Sequence, residues 1–387
     1  MRARRRVHSA FVAGSAAVVM TAASLFAGAP AQSAPSITVT PWLTGLNAPR
    51  GVAFDGAGHF YVSESGLAGS GDHGLTHTGQ VSRYELGSTT PVWTTQFSSL
   101  YAHEAPPPAP ADVLGPEGLA VLRQGCVGPP PHSAGDCKLR MIQSESNKGT
   151  GITNPQIGRL FELNRRTGAS TTVSDVGNRQ WRWTKNHPNV AEPLPDSNPY
   201  GVLITRMHGV VRTFVADAGA NTISEIMPGS GRTRVVALIP NDTPKHDSTP
   251  TCIAKGPDGM LYVATLDLVV NNFGNSPGHS NVWRVDPNAS YPTKPTIWAS
   301  GLTTVTACTF DSSGHFWGTE MFAPNSAGPP GDLVRIPFSH PTHVSHLGLG
   351  DIPLPGGITQ GPDGAMYVSI NSAAPGPAGQ VVKVVVN

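Results

Sequence analysis

Val52-Ala-Phe-Asp-Gly-Ala-Gly-His-Phe-Tyr61 decides the fold, because it recurs. It aligns without gaps with Ile253-Ala-Lys-Gly-Pro-Asp-Gly-Met-Leu-Tyr262, Cys308-Thr-Phe-Asp-Ser-Ser-Gly-His-Phe-Trp317 and Ile358-Thr-Gln-Gly-Pro-Asp-Gly-Ala-Met-Tyr367. Each copy reads as a strand, a turn and a second strand. Gly58, Gly259, Gly314 and Gly364 supply the positive φ that a tight hairpin needs, and an aromatic residue follows three positions later. Two more copies are interrupted by insertions. One begins Pro116-Glu-Gly-Leu-Ala120 and resumes at Lys138-Leu-Arg-Met-Ile142; the other begins Pro199-Tyr-Gly-Val-Leu203 and resumes at Thr213-Phe-Val-Ala-Asp217.

A third strand follows every copy, at 80–86, 158–163, 221–226, 281–285, 332–336 and 380–384. Its alternation sets a charged residue at one place six times: Arg83, Glu162, Glu225, Arg284, Arg335 and Lys383. Fourth strands are read at 91–97, 169–176, 233–239, 295–299 and 342–349, and the sixth copy has none before Asn387. The strand 37–43 has no partner of its own and fits there as the outer strand. The expected fold is therefore all-β, a six-bladed β-propeller of four-stranded blades closed by its N-terminal strand. One domain spans 36–387, with blades at about 46–100, 113–177, 196–240, 248–302, 303–350 and 352–387 plus 37–43.

Composition agrees. Gly and Pro make up 81 of 387 residues, which leaves no room for long amphipathic helices. Arg2, Arg4, Arg5 and Arg6, the apolar run 11–26 and Ala29-Pro-Ala31 read as a secretory signal peptide, residues 1–31, and imply a secreted, extracellular protein. Those residues hold four Arg and no acid, so 22 basic and 25 acidic residues remain, a formal charge of −3. No basic run points to nucleic acid, and no membrane span is expected in the mature chain. The expected partner of a monomeric protein of this kind is a small molecule, a glycan or another protein.

Asn47-Ala-Pro-Arg-Gly-Val-Ala-Phe54, Asp196-Ser-Asn-Pro-Tyr-Gly-Val202, Phe214-Val-Ala-Asp-Ala-Gly-Ala-Asn221, Thr249-Pro-Thr-Cys-Ile-Ala-Lys-Gly-Pro-Asp-Gly259 and Gly361-Pro-Asp-Gly-Ala-Met-Tyr-Val368 together resemble the ScyD/ScyE family over nearly the whole mature chain. Single blades are also similar to NHL repeats, for which Val-Ala-Asp-x-Gly-x-Asn is typical. The resemblance implies a secreted NHL-like propeller, associated in cyanobacteria with scytonemin biosynthesis and carrying no established reaction. The sequence departs from the family at Thr265-Leu-Asp267, where a Gly- and Phe-rich segment is usual.

The aligned repeats name the tunnel-lining positions. One column reads Arg50, Glu117, Tyr200, Thr251, Thr306 and Gly356; a small-residue column, Gly51, Gly118, Gly201, Cys252, Ala307 and Gly357, follows it. Calcium on the axis would need three or four oxygen ligands. Glu117, Asn198 and Asp217 are the candidates, although a turn Asn and a capping Asp are the better explanation of the last two. No cofactor is certain; a divalent cation such as calcium in the tunnel is the one the sequence admits. A later column holds Glu64, Asp217, Thr265, Glu320 and Ile370, and Glu64 with Glu320 would share a cation if they faced each other across one mouth.

No His falls in the inner columns, as a lyase-like general base would require. His59 and His315 sit in hairpin turns. His340, His343 and His346 have helical metal-site spacing, but Pro337 and Pro341 forbid the helix. Gly69-Ser-Gly-Asp-His-Gly74 matches a dinucleotide fingerprint with no helix behind it. Trp181 and Trp183, with Lys185 and His187, form an aromatic and cationic cluster in the insertion 177–195, a ligand platform or a packed lid. Together these features point to a binding or scaffold protein with its ligand at the tunnel mouth, against the alternative of a metal-dependent lactonase or lyase. Two disulfides are expected: Cys126–Cys137 at the base of the blade 2 insertion, and Cys252–Cys308 between neighbouring inner strands. Cys252 and Cys308 have opposite parity, as a bridge between facing blades requires.

Overall fold

The computed structural model describes residues 36–69, 74–101, 113–122, 138–188, 195–241, 247–268, 270–271, 276–322 and 330–387. The leader and the Cys126–Cys137 pair lie outside the described residues. Six antiparallel sheets follow one another along the chain. Five have their strands in sequence order, and the first carries a short extra strand, Val113–Leu114, beyond its fourth. The innermost strands are Pro49–Phe54, Pro116–Val121, Pro199–Met207, Pro250–Lys255, Val305–Phe310 and Ile358–Gln360. Each touches the next, and the sixth touches the first, so the ring is closed. In the sixth sheet the outer strand is Ile37–Leu46, paired antiparallel to Gly379–Val386 from Ile37↔Val386 to Leu46↔Gly379.

Among the described residues, side-chain alternation builds six cores, each between two blades, and a small satellite cluster of Leu100, Leu114 and Ile157. Val52, Phe54 and Phe60 face blade 6, where they meet Tyr367 and Val381; Ala53, Tyr61 and Val81 face blade 2, where they meet Leu119 and Met141. Equivalent clusters fill the other four gaps. Phe60, Tyr61, Phe214 and Phe316 are fully buried there, each worth roughly 1.5–3 kcal/mol of transfer free energy. The same parity sends Ile253 toward blade 3 and Cys252 toward blade 5, where it is bonded to Cys308 with Cα atoms 5.6 Å apart. The expected interblade bridge is present.

The charged column also has a structural role. Glu162 is held by Lys138 and Arg140, Glu225 by Arg212 and Arg234, while Arg284 and Lys383 reach Asp258 and Asp363 of their own hairpin turns. His59 and His315 bond the turn carboxylates Asp55 and Asp311.

Two short helices stand out from the all-β pattern: α1, Asn147–Thr150, and α2, Val176–Asn186. The insertion 177–195 is thus helical in its first half, which the Gly and Pro content had hidden. Residues 178–187 hold neither Gly nor Pro, and Asp175 caps the helix by accepting the Asn178 N–H at 3.2 Å.

Candidate functional site at the tunnel mouth

A backbone corner repeated in all six blades positions the site. The residue just beyond the second strand donates its N–H to a carbonyl just before the first strand: Ser65 to Ala48, Ser144 to Gly115, Ala218 to Asn198, Leu266 to Thr249 and Met321 to Thr304, at 2.8–3.0 Å; in blade 6 the next residue along, Ser372, makes the bond to Leu354 at 3.0 Å, and Asn371 donates to Pro353. Four of these acceptors, Ala48, Thr249, Thr304 and Leu354, have φ between 40° and 48°, a left-handed conformation held by the corner. The corner fixes the second-strand ends Glu64, Gln143, Asp217, Thr265, Glu320 and Ile370 on one side of the ring.

Both inner columns line one axial cavity of about 80 Å³, which includes Arg50, Glu117, Tyr200, Thr251, Thr306 and Gly356. That space holds only a few water molecules. The small column makes the constriction: a Cβ on Gly357 would collide with the Arg50 carbonyl, and one on Gly201 would stand 2.6 Å from that of Thr251. Beyond it the tunnel opens to about 330 Å³ between Phe54, Leu122, Arg206, Lys255 and Phe310. The constricted segment of the axis therefore admits no sizeable ligand.

Among the expected site residues, Arg50 and Glu117 form a buried ion pair between blades 1 and 2, Nε to Oε2 3.5 Å. Ser65 Oγ donates to Glu117 Oε1 at 3.1 Å. Asp217 is enclosed: Oδ1 accepts the N–H groups of Asn198 and Ala220 at 2.8 and 2.9 Å, and Oδ2 accepts Ser197 Oγ at 2.6 Å. Asn198 Oδ1 in turn accepts the Glu145 N–H at 3.3 Å. The aligned columns do not reveal Glu145, since the long blade 2 insertion masks its place; it lies two residues past Gln143, at φ 66°. Burial, with the charges of Asp196 and Asp217 adding to it, pushes its carboxyl up to about 8. Burial likewise lifts Asp217 to about 7, against the hydrogen bonds from Ser197, Ala220 and Asn198.

Helix α2 borders this mouth. Gln180 pins it to blade 3, donating to Ser224 Oγ at 2.5 Å and accepting from Thr222 Oγ1 at 3.2 Å. Trp183 stacks on His187, with ring centroids 4.2 Å apart, and meets Tyr291 edge-on, so it packs within the protein. Trp181 is half-buried, with the ammonium groups of Lys148 and Lys185 5.6 and 5.4 Å from its ring.

The structure ties Glu64 and Glu320 to separate partners. Each is locked in its own blade: Glu64 accepts from Asn47 N and Gln80 Nε2 at 2.7 and 2.6 Å, and Glu320 accepts from Thr303 N at 2.6 Å. The three histidines also separate. His340 and His343 stack on each other, whereas His346 turns to Asp332 at 2.9 Å and Glu320 at 3.4 Å. The pairing of Glu320 with Asp332 was readable from the expected strands; the approach of His346 depends on a shift in register between Gly331 and Leu333.

No family model and no curated protein matches the chain. Solved structures do, and they are β-propeller proteins. A PQQ-bound aldose sugar dehydrogenase from Streptomyces coelicolor is 14% identical at a TM-score of 0.52, over 91% of this chain and 98% of that one. A glucose dehydrogenase-type oxidoreductase from Thermus thermophilus is 15% identical at 0.51, over 90% and 100%. An auxiliary nutrient binding protein from Bacteroides thetaiotaomicron is 9% identical at 0.50, over 91% and 77%. At such identities the likeness establishes the six-bladed fold alone, a fold that carries both enzymes and binding proteins.

Proposed function

We propose that this propeller is a secreted binding protein that takes a positively charged small ligand at the mouth between Glu145, Asp196 and helix α2. One observation carries the reading: both oxygens of Asp217 and the Asn198 side-chain oxygen already accept protein hydrogen bonds. A hydrolytic metal at this mouth would need those oxygens open. Here they act as struts that hold the loop in place. The surrounding acids are crowded, with Asp217 buried and Glu145 and Asp196 half-buried, so a cation relieves their repulsion and a neutral sugar does not. The basic, apolar leader and the interblade disulfide support the secreted reading.

Intrinsic tryptophan fluorescence tests it, with spermidine as cationic probe and glucose as neutral control. Spermidine is expected to change the emission saturably, with affinity reduced at least roughly tenfold by Glu145→Gln, since a charge-assisted contact is worth about 1.5–3 kcal/mol; glucose is expected to do nothing. Calcium-dependent turnover of a simple lactone by the wild-type protein would overturn the reading in favour of the enzyme, and equal responses to both probes would remove the cationic ligand.

A further inference from the structure

Blade 5 holds a second ionisable group, built on its second, third and fourth strands. Glu320 ends Phe316–Glu320, Asp332 stands opposite it in Gly331–Ile336, and His346 lies on Ser345–Ile352 opposite Val334. One ligand atom from each lies within 4.8 Å of the others. The carboxylates are 0% and 1% exposed, while the imidazole is 34% exposed. Glu320 spends Oε1 on the Thr303 N–H, but its buried Oε2 has no hydrogen bond and points at His346 Nδ1 from 3.4 Å; Asp332 Oδ1 is likewise buried with no hydrogen bond. Buried carboxylate oxygens without donors cost free energy that something must offset.

The equivalent corner of blade 1 shows how the fold manages with one acid. There Glu64 faces Gln80, whose amide donates to it. In blade 5 that donor is replaced by Asp332, a second acceptor, and the outer strand supplies an imidazole. We propose that Glu320, Asp332 and His346 bind one divalent transition-metal ion of the zinc or manganese type, with water completing its coordination from the exposed His346 side. Two carboxylate oxygens and one imidazole nitrogen suit those ions; calcium and magnesium prefer all-oxygen sites. The ion takes the Nδ1 lone pair, so a proton held there leaves as it binds. This site shares no residue with the ligand mouth and does not rest on that reading.

The test uses the whole mature protein after dialysis against EDTA, followed by calorimetric and thermal-melting titrations with zinc, manganese and calcium chlorides. One zinc or manganese per chain is expected to bind, to raise the melting temperature by several degrees and to release protons, seen as an enthalpy that varies with buffer. Calcium is expected to leave the melt unchanged. His346→Gln, at a partly exposed position, should fold normally and lose the binding; Asp332→Asn should lose it too, while Asp217→Asn should retain it. Failure of zinc and manganese to bind at millimolar concentration would overturn the site and leave a proton-held triad of His346 with its two acids. Binding that survives both His346→Gln and Asp332→Asn would overturn it as well.

Discussion

Blades 1 and 5 flank the closing blade and are built on the same corner, yet they are finished differently. In blade 1 a buried Glu64 is neutralised by dipoles, the Asn47 N–H and the Gln80 amide. In blade 5 a buried Glu320 is set against another carboxylate and a histidine. Their ties to the neighbour away from blade 6 differ as well. Blade 1 reaches blade 2 through the Arg50–Glu117 ion pair, and blade 5 reaches blade 4 through Cys308–Cys252. The backbone fixes where a side chain stands; one residue on the third strand decides whether an acid is a satisfied strut or a charge that calls for a cation.

The ion pair offers the hardest blow to this contrast. Arg50→Met should destabilise the domain by about 3–5 kcal/mol, because it leaves Glu117 buried beside an apolar side chain, whereas Arg50→Met with Glu117→Leu should recover most of that loss. Equilibrium urea unfolding of both variants decides it; equal losses in single and double variants would mean the pair is not what joins blades 1 and 2. The covalent tie comes next. Cys252 and Cys308 are 56 residues apart, and replacing both by Ala should cost about 2–4 kcal/mol, close to what reduction of the wild type costs. An unchanged melting temperature under reducing conditions would show that the bridge adds nothing to the packing of the blade 4–blade 5 interface.

The smallest effect sharpens the comparison through pH. The hydrogen bond to Asp332 and the adjacent Glu320 carboxylate raise His346 from 6.5 to about 10, and burial beside Asp332 raises Glu320 from 4.5 to about 8. Both groups prefer the protonated state more in the folded chain than in the unfolded one. The stability from His346 is thus complete below about pH 6.5 and lost as pH rises through 10; that from Glu320 is complete below about pH 4.5 and lost as pH rises through 8. In EDTA, wild type should lose more stability between pH 6.5 and 10 than His346→Gln does. Parallel melting curves for the two proteins across that range would contradict the blade 5 arrangement.

The fold was legible because its instructions are local and repeated. Gly58, Gly259, Gly314 and Gly364 have φ of 81–85°, as the hairpins demanded, and strand parity alone placed Cys252 opposite Cys308. The tunnel columns followed from the same repeat. The site was less legible wherever a residue's setting depends on something other than the repeat. Glu145 follows the interrupted hairpin of blade 2, helix α2 rests on ten residues free of Gly and Pro in a chain otherwise full of them, and His346 meets Asp332 only after a shift in register. Carboxylates in one aligned column also proved to have separate fates, since alignment fixes a position but not the neighbours that reach it from outer strands. Glu64 and Glu320 are the example.

The closure of the ring makes the molecule a gauge of its own length. Thr38 and Asn387, bonded to each other at 3.1 Å, are 349 positions apart, so the earliest strand of the ring must wait for the last one to be synthesised. Until then Ile37–Leu46 and the edge that will receive it are both open, able to pair with any other strand they meet. A chain halted at any intermediate blade presents two adhesive edges and never a smaller finished propeller. Pairing of Ile37–Leu46 with Gly379–Val386 converts those edges into a single seam, closed by the same backbone groups that would otherwise stay open.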